Sequence, residues 1–233
     1  MSVLLMVRHG QASFGSRNYD KLSERGHEQS RVLGRALAAR GVVPGVIVRG
    51  GLRRHDETAE GIRAGLLAGT GVDVPVEVDG AWDEFDFNHV VQVHKPLYRS
   101  RAVMMADLAR TGRPRETFQR VFEEATHRWM GGDCDDDYAE SFPAFTTRAN
   151  EALAAASARL DAHRTVLVVS SGGPIGMVCS HLLAGDASLW ANLNKVAVNT
   201  GVSKVIRGGR GLTLASYNEH THLEHDRELL TYR

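Results

Sequence analysis

An arginine, a histidine and a glycine, Arg8, His9 and Gly10, stand together where the apolar run "VLLMV" at residues 3–7 stops. A guanidinium offers a rigid fork of donors that matches phosphate oxygens, and glycine lets the backbone approach a ligand closely. An imidazole among arginines resists protonation, and a neutral ring nitrogen is a nucleophile toward phosphorus. A lone histidine beside a strand is more often structural, but the company of Arg8 and Gly10 at a strand end reverses that preference. Two further polar groups share this setting. Arg49, Arg53 and Arg54 follow the apolar "GVIV" at 45–48, and Ser170, Ser171, Gly172 and Gly173 follow "TVLVV" at 165–169. A helix opening behind those glycines, with Pro174 in its first turn, would add backbone N–H groups for an anion. Transfer of a phosphoryl group also needs a proton for the leaving oxygen. "AWDEFDFNH" supplies Asp83, Glu84 and Asp86 beside Trp82, Phe85 and Phe87, surroundings that raise a carboxyl pKa. The residues alone do not choose among the three acids.

These groups need a scaffold that gathers strand ends. Residues 3–7, 45–48 and 74–78 predict strands, and the stretches from Ser23 to Gly41 and from Arg53 to Gly69 carry a helical period between them. That alternation predicts a layered α/β domain with crossover helices, whose ligands sit beyond the carboxyl ends of the strands. Strand, glycine turn and helix recur from Thr165, and two strands joined by "GGRG" follow. Between them the chain changes character. It reads as one domain over residues 1–233 with a helical insertion, a lid or subdomain, at about residues 89–161, where no strand pattern occurs. The acidic "DCDDD" lacks the regular ligand spacing and closing glutamate of a calcium loop and reads as solvated.

Composition narrows the function classes. Lys and Arg total 28, as do Asp and Glu, so no global field recruits nucleic acid or a membrane surface. The two cysteines, Cys134 and Cys179, form no CxxC pair, which argues against zinc and fits a reducing compartment. With no signal-like N-terminus and no apolar run of membrane length, a soluble cytoplasmic protein is expected. The implied ligand is a phosphorylated small molecule. Nucleophile, clamp and acid are all side chains, so no cofactor or metal is required, and a homodimer is compatible with the chain. Gln11, Ser13, Asn18, His89 and Arg99 are candidates for contacts to the rest of a substrate, each with an ordinary surface explanation.

The same residues resemble the histidine phosphatase superfamily, which includes cofactor-dependent phosphoglycerate mutases and broad phosphatases. "RHG" and "LSERGHEQS" match its "RHG" and "LTxxGxxQA" stretches, and "LRRHDETA", from Leu52 to Ala59, is similar to "LxRAxQTA". "WDEFDFN" is similar to "LxExxFG", "NTGVSKV" to "NxgxsxL" and "NEHTHL" to "NDxxHL". Several motifs in order are far more specific than one. The resemblance implies a three-layer α/β/α sandwich with a mostly parallel central sheet and an inserted helical lid. It implies that His9 is the phosphorylated nucleophile and that Arg8 and Arg54 bind phosphate, with Ser171 and Gly172. It also implies Glu84 as the proton donor and Asn199 and His222 at the pocket mouth, a rim to which Gln11 and Asn18 are added as polar candidates from the residues themselves.

One position departs from the pattern: where the family has "VVSHGG" this chain has "VVSSGG", with Ser171 in place of a second histidine. Losing one preorganised donor costs roughly 3–4 kcal/mol of transition-state stabilisation, part of which a serine hydroxyl can recover. A phosphomonoester phosphatase is the expected function. Mutase-like phosphoryl transfer and a non-catalytic phospho-ligand binding protein are the alternatives.

Overall fold

The computed structural model describes residues 2–13 and 20–232. Its strands are β1 (Ser2–Arg8), β2 (Val46–Arg49), β3 (Val76–Val78), β4 (Thr165–Ser170), β5 (Val202–Gly208) and β6 (Gly211–Glu219). Its α-helices are α1 (Glu24–Ala39), α2 (Arg53–Thr70), α3 (Phe87–His94), α4 (Arg101–Arg110), α5 (Pro114–Met130), α6 (Phe142–Ala158), α7 (Gly172–Ala184) and α8 (Trp190–Val196). The chain forms two compact units, Met1–Glu84 with Arg148–Arg233, and Phe85–Thr147.

The first unit is built on one six-stranded sheet in the order β3-β2-β4-β1-β5-β6. β3, β2, β4 and β1 run parallel, while β5 and β6 are antiparallel additions. The centre of the sheet is buried on both faces, which explains why its strands read as unbroken apolar runs rather than alternating ones. Leu5, Val7, Ile47, Leu167 and Val169 pack with Leu33 and Leu37 of α1 and with Ala59, Ile62 and Leu66 of α2. Leu4, Met6, Val46, Val48, Val166 and Val168 alternate with them and are equally buried on the opposite face. After β3 the chain reverses its direction across the sheet, so the right-handed connection from β3 to the parallel β4 brings the later part of α6 to that face, and α7 packs against β1 and β6. The result is the three-layer α/β/α sandwich expected from the sequence.

Local signals set the ends of these elements. Ser23 caps α1 by accepting from Gly26 N at 3.1 Å, and Gly41 stops it at a φ of 67°. Gly10 and Gly26 have a different task. A Cβ on Gly10 would lie 2.5 Å from Gly26 O, and one on Gly26 would lie 2.2 Å from Gln11 O. Backbone therefore crosses backbone just beyond β1, and alanine at either position would push α1 off the strand end.

The second unit is helical. Trp129 of α5 stacks on Phe85 at 4.7 Å and meets Phe142 edge-on at 5.1 Å, and its indole N–H donates to Glu140 O at 2.9 Å. Aromatic packing of this kind, with the one polar tip satisfied, gives a short helical segment its core. Among the described residues no helix is long and apolar enough to cross a membrane.

Candidate active site

The carboxyl ends of β1, β2 and β4 lie side by side because these strands are neighbours in parallel register. Arg8 pairs with Ser170, His9 N donates to Ser170 O at 2.8 Å, and Gly50 N donates to Val169 O at 3.1 Å. The three polar groups found in the sequence therefore converge on one end of the sheet.

His9 is buried, 8 % exposed, and its Nδ1 lies 2.7 Å from Gly10 O. A carbonyl only accepts, so Nδ1 carries the proton and Nε2 keeps its lone pair. Burial, then the positive charges of Arg54 and Arg8, hold the imidazole well below its ordinary pKa of 6.5. His9 is thus a neutral base of fixed tautomer. Its backbone is pinned as well: Asn199 Nδ2 donates to His9 O at 3.0 Å, and Gly10 N donates to Thr58 Oγ1 at 3.0 Å.

The arginines separate by partner. Arg8 Nη1 donates to Tyr232 O at 2.8 Å and to Ala197 O. Arg54, on the first turn of α2, is 7 % exposed and meets Asp20 Oδ1 at 2.6 Å. Arg49 pairs with Asp56 at 2.8 Å and Arg53 with Glu57 at 2.7 Å. Of Arg49, Arg53 and Arg54, Arg54 is the one that bears on His9.

Ser171 is the N-cap of α7, yet its hydroxyl caps nothing. It lies instead 2.8 Å from Nε2 of His55, a fully buried residue on the first turn of α2. The ring of His55 stands 5.8 Å from that of His9. Its other nitrogen, Nδ1, faces Asp83 Oδ1 at 3.7 Å. Burial first, and Arg54 with it, lower the His55 pKa, while Asp83 opposes them. Burial pushes the Asp83 carboxyl up, but His55 and the Gly51 N–H at 2.6 Å outweigh it, and the net shift is downward. Beside it Glu84 Oε2 accepts from Gly173 N, in the first turn of α7, at 3.2 Å. The segment carrying both acids is anchored by Ser170 Oγ donating to Trp82 O at 2.6 Å and by Arg148 Nη1 donating to Asp83 O at 2.8 Å.

Comparison with known proteins decides the family. The model of the histidine phosphatase superfamily (branch 1) matches residues 4–110 and 108–220, nearly the whole chain. The chain belongs to the histidine phosphatase superfamily. Among solved structures, a mycobacterial glucosyl-3-phosphoglycerate phosphatase is similar at 22% identity, covering 94% of this chain and 100% of the other, with a TM-score of 0.61. Phosphoglycerate mutase from Bacillus anthracis is 17% identical over 96% of this chain and 95% of its own, with a TM-score of 0.65. Phosphoserine phosphatase from Entamoeba histolytica is 18% identical over 96% and 100%, also with a TM-score of 0.65. No protein of curated function matches the sequence.

Within this member of the superfamily the remaining candidates fall into place unevenly. Asn199, expected at the mouth, is instead fully buried. Its amide is consumed by His9 O and by the Thr231 hydroxyl, which makes it a strut under His9 and not a rim residue. His222 is half-buried, with Nε2 3.0 Å from Thr200 Oγ1, and burial lowers its pKa to about 4. Gln11 accepts from Ser23 Oγ at 2.9 Å, and Ser13 donates to Leu22 O at 2.9 Å. Asn18 lies outside the described residues. Asp86 caps α3 through His89 N at 3.0 Å, and His89 and Arg99 also belong to the helical unit. A Cβ on Gly172 would lie 2.3 Å from Asn194 Oδ1, so no larger residue fits there. Sequence reasoning passed over His55. The signal was present, because His55 falls on the alanine of "LxRAxQTA" and so departs from the pattern, as Ser171 does.

Proposed function

We propose that this chain is a phosphomonoester phosphatase that works through phosphohistidine at His9. The observation that carries the proposal is the state of that ring: Nδ1–H donates to Gly10 O, and burial with two guanidiniums disfavours the charged form, so Nε2 is a free nucleophile at neutral pH. Nε2 attacks phosphorus, the bond from phosphorus to the ester oxygen breaks, and Glu84 gives that oxygen its proton. Water then attacks the phosphohistidine, Glu84 takes a proton back, and phosphate and neutral His9 are released. Arg54 and Arg8 meet charge present in substrate and transition state alike, and Gly172 allows close approach at the start of α7. The mycobacterial phosphatase that the fold resembles is described in complex with vanadate, an anion of this chemistry.

The test is release of inorganic phosphate from a monoester, with an acid-labile, alkali-stable phosphoenzyme trapped during turnover. Both should disappear in His9→Ala. Rapid conversion of 3- to 2-phosphoglycerate that depends on a bisphosphate primer, outpacing phosphate release, would replace the phosphatase with a mutase.

A further inference from the structure

Next to the proposed nucleophile the structure holds a second buried imidazole that the mechanism above leaves unused. His55 Nε2 is 2.8 Å from Ser171 Oγ, and His55 Nδ1, without a hydrogen-bond partner among the described residues, faces Asp83 Oδ1 at 3.7 Å. Space for this pair is reserved by Gly50, whose added Cβ would lie 2.2 Å from His55 Nδ1 and 2.6 Å from Asp83 Oδ1. Serine is a favoured helix N-cap because its oxygen accepts a first-turn N–H. Ser171 forgoes that bond, and its hydroxyl is committed to His55 instead.

The arrangement has two proton states with different consequences for an anion. When His55 is neutral with its proton on Nδ1, Nε2 accepts the Ser171 hydroxyl proton, and Oγ presents only lone pairs to its surroundings. When His55 is charged, Nε2–H donates to Oγ, and the hydroxyl proton is released for another acceptor. We propose that His55 is the second imidazole of this pocket, a positioning residue acting through Ser171: an arriving phosphoryl anion draws a proton from solvent onto His55, which turns the Ser171 hydroxyl toward the phosphoryl oxygens while Asp83 accepts Nδ1–H. The proposal rests on the phosphohistidine reading of His9.

The groups facing His55 fit this cycle. Arg54 on its own helix disfavours the charge, Asp83 and Asp20 favour it, and the neutral ring of His9 at the end of β1 brings no charge of its own. Without an anion burial and Arg54 prevail and the ring is neutral above its lowered pKa. A dianion beside His9 adds negative charge at short range, and opposite charges within a few ångströms raise an imidazole pKa by about 1–3.

Two measurements test the proposal. The first follows the His55 ring resonance by NMR in the His9→Ala protein, which carries out no chemistry, as inorganic phosphate is added. The titration midpoint of His55 should rise by about one pH unit or more; an unmoved midpoint overturns the proposal whatever the protein's activity. The second is a double-mutant cycle on kcat/KM. His55→Ala and Ser171→Ala should each lose roughly 10- to 100-fold, and the double variant no more than either alone; losses that multiply overturn the relay. His55→Ala with Ser171→His, which puts the imidazole where the hydroxyl was, should regain at least part of the rate lost in His55→Ala. His55→Gln keeps a donor to Ser171 in a better-filled space and serves if the alanine variant fails to fold; it should stay folded yet lose the rate and the alkaline limb of the pH profile, and a wild-type profile overturns the role of charge. An acid-stable phosphoenzyme that vanishes in Ser171→Ala would make Ser171 the nucleophile and overturn the proposal too. A His9→Ala protein with normal turnover would sink the reading of His9, whereas an unmoved His55 midpoint sinks this proposal alone.

Discussion

Asn199→Ala should weaken fold and turnover together. The amide it removes donates to His9 O at 3.0 Å and accepts from Thr231 Oγ1 at 2.9 Å, and Thr231 Oγ1 in turn accepts from Gln29 Nε2 at 2.8 Å. Gln29 Oε1 accepts from Gln11 N at 2.8 Å, so a buried polar chain ties the residue after Gly10 to His9 itself by way of the C-terminal segment. The backbone bond from Asn199 N to Thr231 O survives the substitution. What is lost is one donor to a buried carbonyl, about 1–3 kcal/mol, and one neutral hydrogen bond worth about 1 kcal/mol. The expected cost is therefore about 2–4 kcal/mol. A protein of this size loses about 2–4 °C of Tm per kcal/mol, so calorimetry should find Tm lower by roughly 4–16 °C. Phosphate release should fall at temperatures where the variant is still folded, because the His9 backbone has lost its brace. Asn199→Asp separates this account from one based on volume: it preserves shape but sets a carboxylate oxygen against the His9 carbonyl, and should be at least as damaging as alanine. Tm values within about 1 °C of the parent for both variants would refute the strut.

Glu84→Gln should cost roughly 100-fold or more on an alkyl phosphate, whose leaving oxygen needs a proton, and little on a nitrophenyl phosphate; equal losses on both would assign Glu84 a structural task at Gly173 N. The acid limb of kcat/KM should lie below pH 6.5, since only neutral His9 attacks and its pKa is lowered, and Arg54→Ala should move that limb upward by removing a charge that disfavours His⁺; a limb indifferent to Arg54 would contradict the electrostatic assignment. Stability should also drop in acid: unfolded His222 binds a proton near 6.5 and folded His222 only near 4, so the unfolded state gains as pH falls through that window, on the order of 3 kcal/mol in all, and urea unfolding of His222→Asn should show a shallower slope between those limits. Asp20→Asn frees Arg54 from its carboxylate and should tighten inorganic phosphate binding by roughly two- to fivefold in isothermal titration, a gain kept small because the Asp20 side of the pair is solvated while Arg54 is buried; weaker binding would show that Asp20 orients Arg54 and does not compete for it.

The parts of this fold that were legible from the sequence are those governed by near neighbours. Leu4 to Val7 is an unbroken apolar run because both faces of β1 are covered, and the one-turn spacing of Leu33 and Leu37 marks the face of α1 on the sheet. The order of strands was not legible, since β4, more than a hundred residues after β2, inserts between β1 and β2 through pairings no local pattern encodes. The same reason hid the company of each site residue. Three adjacent acids could not be told apart until Ser170 Oγ and Arg148 fixed their segment and turned Asp83 toward His55 and Glu84 toward α7. Asn199 looked like a rim residue because the sequence does not reveal that Thr231 returns to cover it.

The chain has no net charge, yet it concentrates Arg8, Arg54 and the first turn of α7 at one end of its sheet, and the structure shows how that concentration is tolerated. Each cationic or donor group is answered from within: Arg54 by Asp20, the Gly173 N–H by Glu84, and Arg8 by the carbonyls of Ala197 and Tyr232. An unanswered buried charge is among the costliest features a core can carry, whereas a paired one is nearly neutral. His9 is held neutral and His55 is lowered in the same direction, so the ring nitrogens add little further positive charge. Under the proposed function, a phosphoryl anion entering this site exchanges partners with the groups already there, so its binding energy is a difference between two satisfied states. That difference stays small because the carboxylates imitate the anion, and since the clamp meets charge present in substrate and transition state alike, the rate itself must come from the His9 nucleophile and the Glu84 proton.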